Sequence, residues 1–250
     1  MKRRELIFSA GGLFATGAIG AVPQAPAWSM SGLRTGGTAG MPTELPAPRF
    51  RAEPQCVVMR DKTLGPCHTN DVPIRRDVTA GVTGLPMWVS LRVVDAIGCK
   101  PVAGADIEIW HADVRGIYSG RAAALCNPDD AAAKRAGFLR GRQVTDAGGV
   151  VSFLTIYPGW YGGRAPHVHL RVLVERRELL ISQLLFDEAL NDAVYGNHPD
   201  YAKRTRHDTL NRNDFAFSAS EVERFTFDVE KLGSGVLQAS YTIGLTRRRP

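Results

Sequence analysis

Residues 157–173 read YPGWYGGRAPHVHLRVL. A turn rich in Pro and Gly runs into an alternating segment, and a period of two is that of a β-strand, whose side chains change face at every residue. His167 and His169 therefore share one face. Val168, Leu170, Val172 and Val174 share the other, which requires an apolar layer to pack against. The same period recurs outward from this strand. Met87, Val89, Leu91 and Val93 alternate with Trp88, Ser90 and Arg92, which predicts a half-buried strand. Ala105, Ile107 and Ile109 alternate with Asp106 and Glu108, and the turn Thr145-Asp146-Ala147-Gly148-Gly149 feeds a further strand over 150–156. Glu175-Arg176-Arg177-Glu178 separates strands at 167–174 and 179–186, a spacing that predicts a hairpin with a four-residue loop. Strands at 224–229 and 236–245 close the series, and helix is confined to a short stretch between Asp187 and Lys203. Many short strands punctuated by Gly/Pro turns predict an all-β protein, an antiparallel β-sandwich with long loops.

The chain has 250 residues, 44% hydrophobic and 22% charged, enough for one sizeable core. Its net charge of +6 includes two charges from Lys2, Arg3 and Arg4 set against Glu5. No basic stripe interleaved with aromatics accompanies that excess, so nucleic acid is not an expected partner. Residues 1–27 have the layout of an export signal: a basic start, a Gly/Ala-rich apolar run from Leu6 to Val22, and Ala25-Pro26-Ala27 as a small-x-small cleavage site. Arg3-Arg4 followed by x-Leu-Ile resembles a twin-arginine signal. The expected product is a periplasmic or extracellular protein beginning at Trp28, with no stable membrane span in the mature chain. Residues 28–50, rich in Pro, Gly, Ser and Thr, read as a flexible linker, and 51–250 as one folded domain. Cys56, Cys67, Cys99 and Cys126 would then meet an oxidising compartment, which favours one or two disulfides with three pairings open if all four are used.

An H-x-H pair alone is more often a surface pair beside a turn than a site. Here it has company. Tyr161 and Arg164 lie just upstream, Tyr118 follows the strand that ends near Trp110, and Gln183 sits on the other arm of the predicted hairpin. A phenol has an ordinary pKa near 10, so it ligates as an anion only when a strongly Lewis-acidic ion displaces its proton. Two tyrosinates with two imidazoles suit Fe(III) better than Zn(II), which takes Cys, His or carboxylate. A zinc hydrolase built on His167 and His169 lacks an acidic third ligand at a telling spacing.

These residues carry a resemblance. Pro101-Val102-Ala103-Gly104-Ala105, Ile109-Trp110-His111-Ala112-Asp113 and Gly116-Ile117-Tyr118-Ser119-Gly120 match text of the intradiol ring-cleavage dioxygenases, the non-haem Fe(III) enzymes. So do Phe138-Leu139-Arg140-Gly141, Thr145-Asp146, Pro158-Gly159-Trp160-Tyr161, Arg164-x-Pro166-His167-x-His169, Gln183-Leu184-Leu185-Phe186, and Asn191-Asp192 through Asn213-Asp214. The resemblance implies a prealbumin-like sandwich with Tyr118 and His167 as equatorial ligands of Fe(III) and Tyr161 and His169 as axial ones. It implies a catechol-type aromatic substrate that displaces Tyr161, O2 as co-substrate, and a cis,cis-muconate-type diacid as product. Arg164 would stabilise negative charge on the ring, and Gln183 would hydrogen-bond near it. The chain departs from the family at Gly65-Pro66-Cys67-His68, where members often have Gly-Pro-Tyr or Gly-Pro-Phe. It also lacks the helical N-terminal segment through which catechol 1,2-dioxygenases dimerise, which leaves open whether it forms a homo-oligomer. The competing expectation is a sandwich of the same kind that binds a ligand without chemistry. Convergence of the four donors discriminates the two.

Overall fold

The computed structural model describes residues 28–51, 56–204 and 206–246, so the expected export signal at 1–27 lies outside the described residues. Eight strands form two four-stranded sheets: β1 Pro86–Asp95, β2 Asp106–Trp110, β3 Arg140–Val144, β4 Val150–Ile156, β5 His167–Val174, β6 Arg177–Leu185, β7 Asp228–Lys231 and β8 Leu237–Leu245. The first sheet runs β4-β1-β8-β7 and the second β3-β2-β5-β6. Alternation decides what meets between them. Met87, Val89, Leu91 and Val93 from β1 pack in one core with Ile107 and Ile109 from β2 and Val168, Leu170 and Val172 from β5. The sandwich expected from the sequence is the fold observed.

Three details differ from the expectation. The sandwich is not wholly antiparallel, because β1 and β8 pair in parallel from Met87↔Leu237 to Asp95↔Leu245. The hairpin loop has two residues rather than four: Val174 pairs with Arg177, while Glu175 and Arg176 take φ of 51° and 63°. Two left-handed residues make a turn whose twist matches that of the flanking strands, at a steric cost because neither is glycine. Finally, β1 is buried on both faces rather than one. Its outward Trp88 packs with Leu232 and Val236, and Met41 and Leu45 close over the same patch.

Met41 and Leu45 belong to the segment read as a flexible linker. Within that segment Trp28, Met30 and Leu33 also pack on the main core, the Gly37 N–H donates to Gly84 O at 2.8 Å and the Arg34 N–H to Gly235 O at 3.0 Å. A composition rich in Pro and Gly precludes regular elements; it does not preclude packing over an apolar face.

Two short helices lie outside the sheets, α1 Ala131–Arg135 and α2 Glu188–Asn197. Asp187 caps α2, accepting from the N–H groups of Ala189 at 2.9 Å and Leu190 at 3.3 Å. The helix anchors the turn that precedes β5. The Tyr195 hydroxyl donates to Pro158 O at 2.7 Å, Tyr157 to Asn191 Oδ1 at 2.5 Å, and Tyr201, just beyond the helix, to Tyr157 O at 2.5 Å. Three buried hydroxyls thus fix the backbone that carries Tyr161.

Candidate metal centre

The site lies on the outer face of the second sheet. Register aligns one row across its four strands: Arg140 opposite Trp110, Trp110 opposite His169, His169 opposite Gln183. Opposed side chains in a sheet stand within contact distance of one another. The Trp110 and His169 rings stack at 4.8 Å with 8° between their planes. His167, two residues along β5, turns its Nε2 to within 3.1 Å of His169 Nε2.

The phenols arrive from two loops that touch through glycine. Tyr118 follows the turn 113–117, and Tyr161 ends the turn 157–161. A Cβ on Gly159 would lie 2.0 Å from Asp113 O, and one on Gly116 would lie 2.1 Å from Trp160 O. Only residues without side chains let these backbones meet, and that contact places the two hydroxyls 3.5 Å apart. Tyr118 Oη lies 3.4 Å and Tyr161 Oη 3.2 Å from His167 Nε2. A disulfide between Cys67 and Cys126 ties the loop before Tyr118's first contacts to the loop after it, and the Tyr118 N–H donates to Cys126 O at 2.9 Å. The second disulfide joins Cys56 to Cys99.

His167 Nε2 lies 3.1 to 3.4 Å from the other three donor atoms and the two phenol oxygens lie 3.5 Å apart, the spacing of ligands that share one ion at about 2 Å. Their chemistry fits a metal as well. The His167 Nδ1–H donates to Ala165 O at 2.6 Å, which leaves the Nε2 lone pair facing the other donors. Burial holds both imidazoles far below their usual pKa, so they stay neutral and able to ligate. Burial also raises both phenols above their ordinary range, with the neighbouring phenol adding to the rise at Tyr118. Phenols in such a place lose their protons only to a strong cation. Among the described residues no group of three or more His, Cys, Asp or Glu side chains could hold a metal, so this donor set is not of the usual zinc kind.

Arg164 and Gln183 flank the four donors. The guanidinium Nε donates to both oxygens of Asp214 at 2.9 and 3.1 Å, Nη2 to Gln183 Oε1 at 2.5 Å and Nη1 to Tyr161 Oη at 3.4 Å. Gln183 Nε2 in turn donates to Thr63 O at 2.7 Å. The structure therefore brings all six sequence-derived candidates, Tyr118, Tyr161, Arg164, His167, His169 and Gln183, into one cluster. Tyr161 is the partly exposed member; the others are buried.

Sequence reasoning gave no role to Asp214. Its buried carboxylate also accepts from the N–H groups of Ala165 at 2.8 Å and Ala216 at 2.9 Å, so it fixes both the charge and the backbone of the Arg164 turn. Fifty residues separate Arg164 from Asp214, and no pattern in the chain links them. Trp110, stacked on His169, figured in the sequence only as part of the matched text Ile109-Trp110-His111-Ala112-Asp113, with no role of its own. Gly65 stood out in the sequence only as part of a departure from the family pattern: with φ of 74°, its absent Cβ would sit 3.2 Å from His169 Cε1.

Comparison with known proteins gives the chain its family. The Dioxygenase_C family, described as dioxygenase, matches residues 65–232. The chain belongs to this family of intradiol ring-cleavage dioxygenases. It is similar to a hydroxyquinol 1,2-dioxygenase of Nocardioides simplex, 32% identical over 141 residues that make up 48% of this chain and 44% of that protein. The chain thus spans less than half the length of that relative. An intradiol ring-cleavage dioxygenase of Tetranychus urticae superposes with a TM-score of 0.69 at 28% identity, covering 78% of this chain and 98% of that one. The catechol 1,2-dioxygenase of Pseudomonas arvilla C-1, at 22% identity and a TM-score of 0.54 over 74% of this chain and 61% of that one, shares the fold.

Proposed function

We propose that this protein is a non-haem Fe(III) intradiol dioxygenase that cleaves a catechol-type ring between its two hydroxyl-bearing carbons with O2, giving a cis,cis-muconate-type diacid. The gathering of two phenol oxygens and the His169 nitrogen within 3.4 Å of His167 Nε2 carries the reading. Tyr118, Tyr161, His167 and His169 would hold the ion. Ferric iron held there would supply a Lewis acid able to make a catechol ring reactive toward O2.

The protein's own groups do the rest. Tyr161 is half-buried where Tyr118 is fully buried, so it is the phenol better placed to give way to substrate, and its Oη would receive a proton from the incoming catechol. Arg164 Nη1 stands 3.4 Å from that oxygen and meets either the departing tyrosine or the charge that replaces it. Asp214 and Gln183 hold the guanidinium from two sides, so its direction is set before substrate arrives. Trp110 and the Gly65 backbone close over His169 and keep that side free of water. Export of the protein accompanies this reading. The signal-like start of the chain and the two disulfides among the described residues support it.

Purified iron-loaded protein is expected to show a visible tyrosinate-to-iron absorption band and to consume O2 with catechol, protocatechuate or hydroxyquinol, the last suggested by the names of relatives. Anaerobic catechol should shift the band, and Tyr118→Phe should weaken it. Iron-loaded protein with no visible band, or with a band but no ring-opened product from any of the three, would refute the proposal.

A further inference from the structure

Arg140 begins β3, at the far end of the row that contains His169, and its side chain is 1% exposed. A buried guanidinium normally faces a carboxylate. This one does not: no carboxylate forms an ion pair with it among the described residues. Its Nε donates to Ser119 O at 3.0 Å and Ser119 Oγ at 3.1 Å, and its Nη2 to Ser119 O at 2.5 Å and Cys67 O at 2.6 Å. Its Nη1 has no partner at all. The cleft it borders offers no relief, since Arg121, Lys134 and Arg135 line it with His68, and Asp71, the carboxylate among its lining residues, forms no ion pair with Arg140. What does stand beside the cation is an aromatic ring, that of Tyr118, with its centroid 6.0 Å from the Arg140 Cζ.

We infer that Arg140 is a positioning residue for Tyr118, fixing the phenol ring through the Ser119 and Cys67 carbonyls and setting a permanent positive charge behind it. The inference rests on the metal-centre reading above. Two features support it. The carbonyls that Arg140 grips belong to the residue after Tyr118 and to the disulfide-bonded Cys67, so one side chain ties together both walls around the phenol. And the guanidinium carbon stands over the ring at 6.0 Å from its centroid, while the Tyr118 hydroxyl is directed to Tyr161 and His167. A charge so placed acts more strongly on the phenol than on an ion held beyond its oxygen.

That asymmetry has a spectroscopic sign. The charge-transfer transition moves an electron from the tyrosinate to iron, away from Arg140, so the cation raises the transition energy. Arg140→Gln keeps donors for the carbonyls and removes the charge. In iron-loaded full-length protein it should move the visible band to longer wavelength by on the order of 10 nm, as the Coulomb difference over a few ångströms at intermediate dielectric implies. Iron loss to a chelator should accelerate about tenfold, the scale of effects from groups that orient a ligand. Arg140→Lys retains the charge but not the fork that grips two carbonyls, so the band should stay in place while iron loss still accelerates. A purely structural role would speed iron loss in both variants and shift neither band. The inference is overturned if Arg140→Gln absorbs at the wild-type wavelength. Should Arg140→Gln fail to fold, an Arg140→Lys band displaced as far as that expected for Gln overturns it equally. Wild-type protein that takes up iron without any band would refute the metal-centre reading instead, which keeps the two failures distinct.

Discussion

On the first sheet the outward Trp88 of β1 is buried in an apolar patch with Leu232 and Val236, covered by Met41 and Leu45. On the second sheet the outward positions of β2 and β5, Trp110, His167 and His169, are as deeply buried, at 3% exposure or less. Their cover is of another kind: phenols, a guanidinium, a carboxamide and a disulfide-bonded loop. The first sheet hides its outer face to gain stability. The second hides polar groups whose burial is costly unless each has a partner. The contrast sets apart the face where burial and polarity coincide, which is the face of the proposed metal centre.

The sharpest way to break that contrast lies on one strand. His169→Ala should lower ring-cleavage turnover on the order of a thousandfold, the scale of removing a principal electrostatic element from a site. It should leave the urea midpoint of metal-free protein nearly unchanged. Leu170→Ala, one residue on and facing the core, should do the reverse, costing about 2–5 kcal/mol in urea unfolding while the folded fraction keeps its turnover. Equal losses of stability in the two variants would erase the division of labour between the faces of β5.

A second test is pH. His111 is fully buried, with Nδ1 2.9 Å from Ala112 O and Nε2 2.7 Å from Thr155 Oγ1, and burial lowers its pKa to about 4. The unfolded chain takes up this proton near pH 6.5, while the folded chain resists it until about 4. Its contribution is therefore fully present above pH 6.5 and is lost as pH falls towards 4, by about 3 kcal/mol in all. Urea midpoints measured between pH 7 and 4 should show that decline, and His111→Asn should flatten it. The smallest effect belongs to the hairpin: Arg176→Gly should raise stability by about 1 kcal/mol by removing a left-handed side chain, read as a higher urea midpoint.

The sheets were legible because Val168, Leu170 and Val172, like Met87, Val89 and Leu91, alternate so regularly that period alone assigns their faces. The six candidate residues stood out because chemistry and resemblance pointed to the same positions, and the fold gathers them into one cluster. What escaped was set by register and by distant partners. Nothing local aligns Arg140 with Trp110 and His169, and nothing local brings Asp214 to Arg164. The two-residue hairpin was missed because Glu175 and Arg176 are unusual occupants of left-handed backbone, so the loop carried none of the glycine or asparagine that marks such a turn. The covering role of residues 28–50 was missed because composition reports on regular structure, not on what an irregular chain lies against.

The parallel pairing of β1 with β8 sets an order of assembly. Every strand of the second sheet lies between Asp106 and Leu185, so the sheet bearing the candidate ligands is complete in one contiguous stretch of chain. The first sheet cannot close until Leu237–Leu245 reaches Pro86–Asp95, across a loop that contains the whole of its partner. Long-range pairings of this kind are slow to form because the entropy of closing the loop must be met first. During synthesis the strands of the second sheet leave the ribosome before β8 does, so of the eight strands the one that closes the first sheet is the last available to pair.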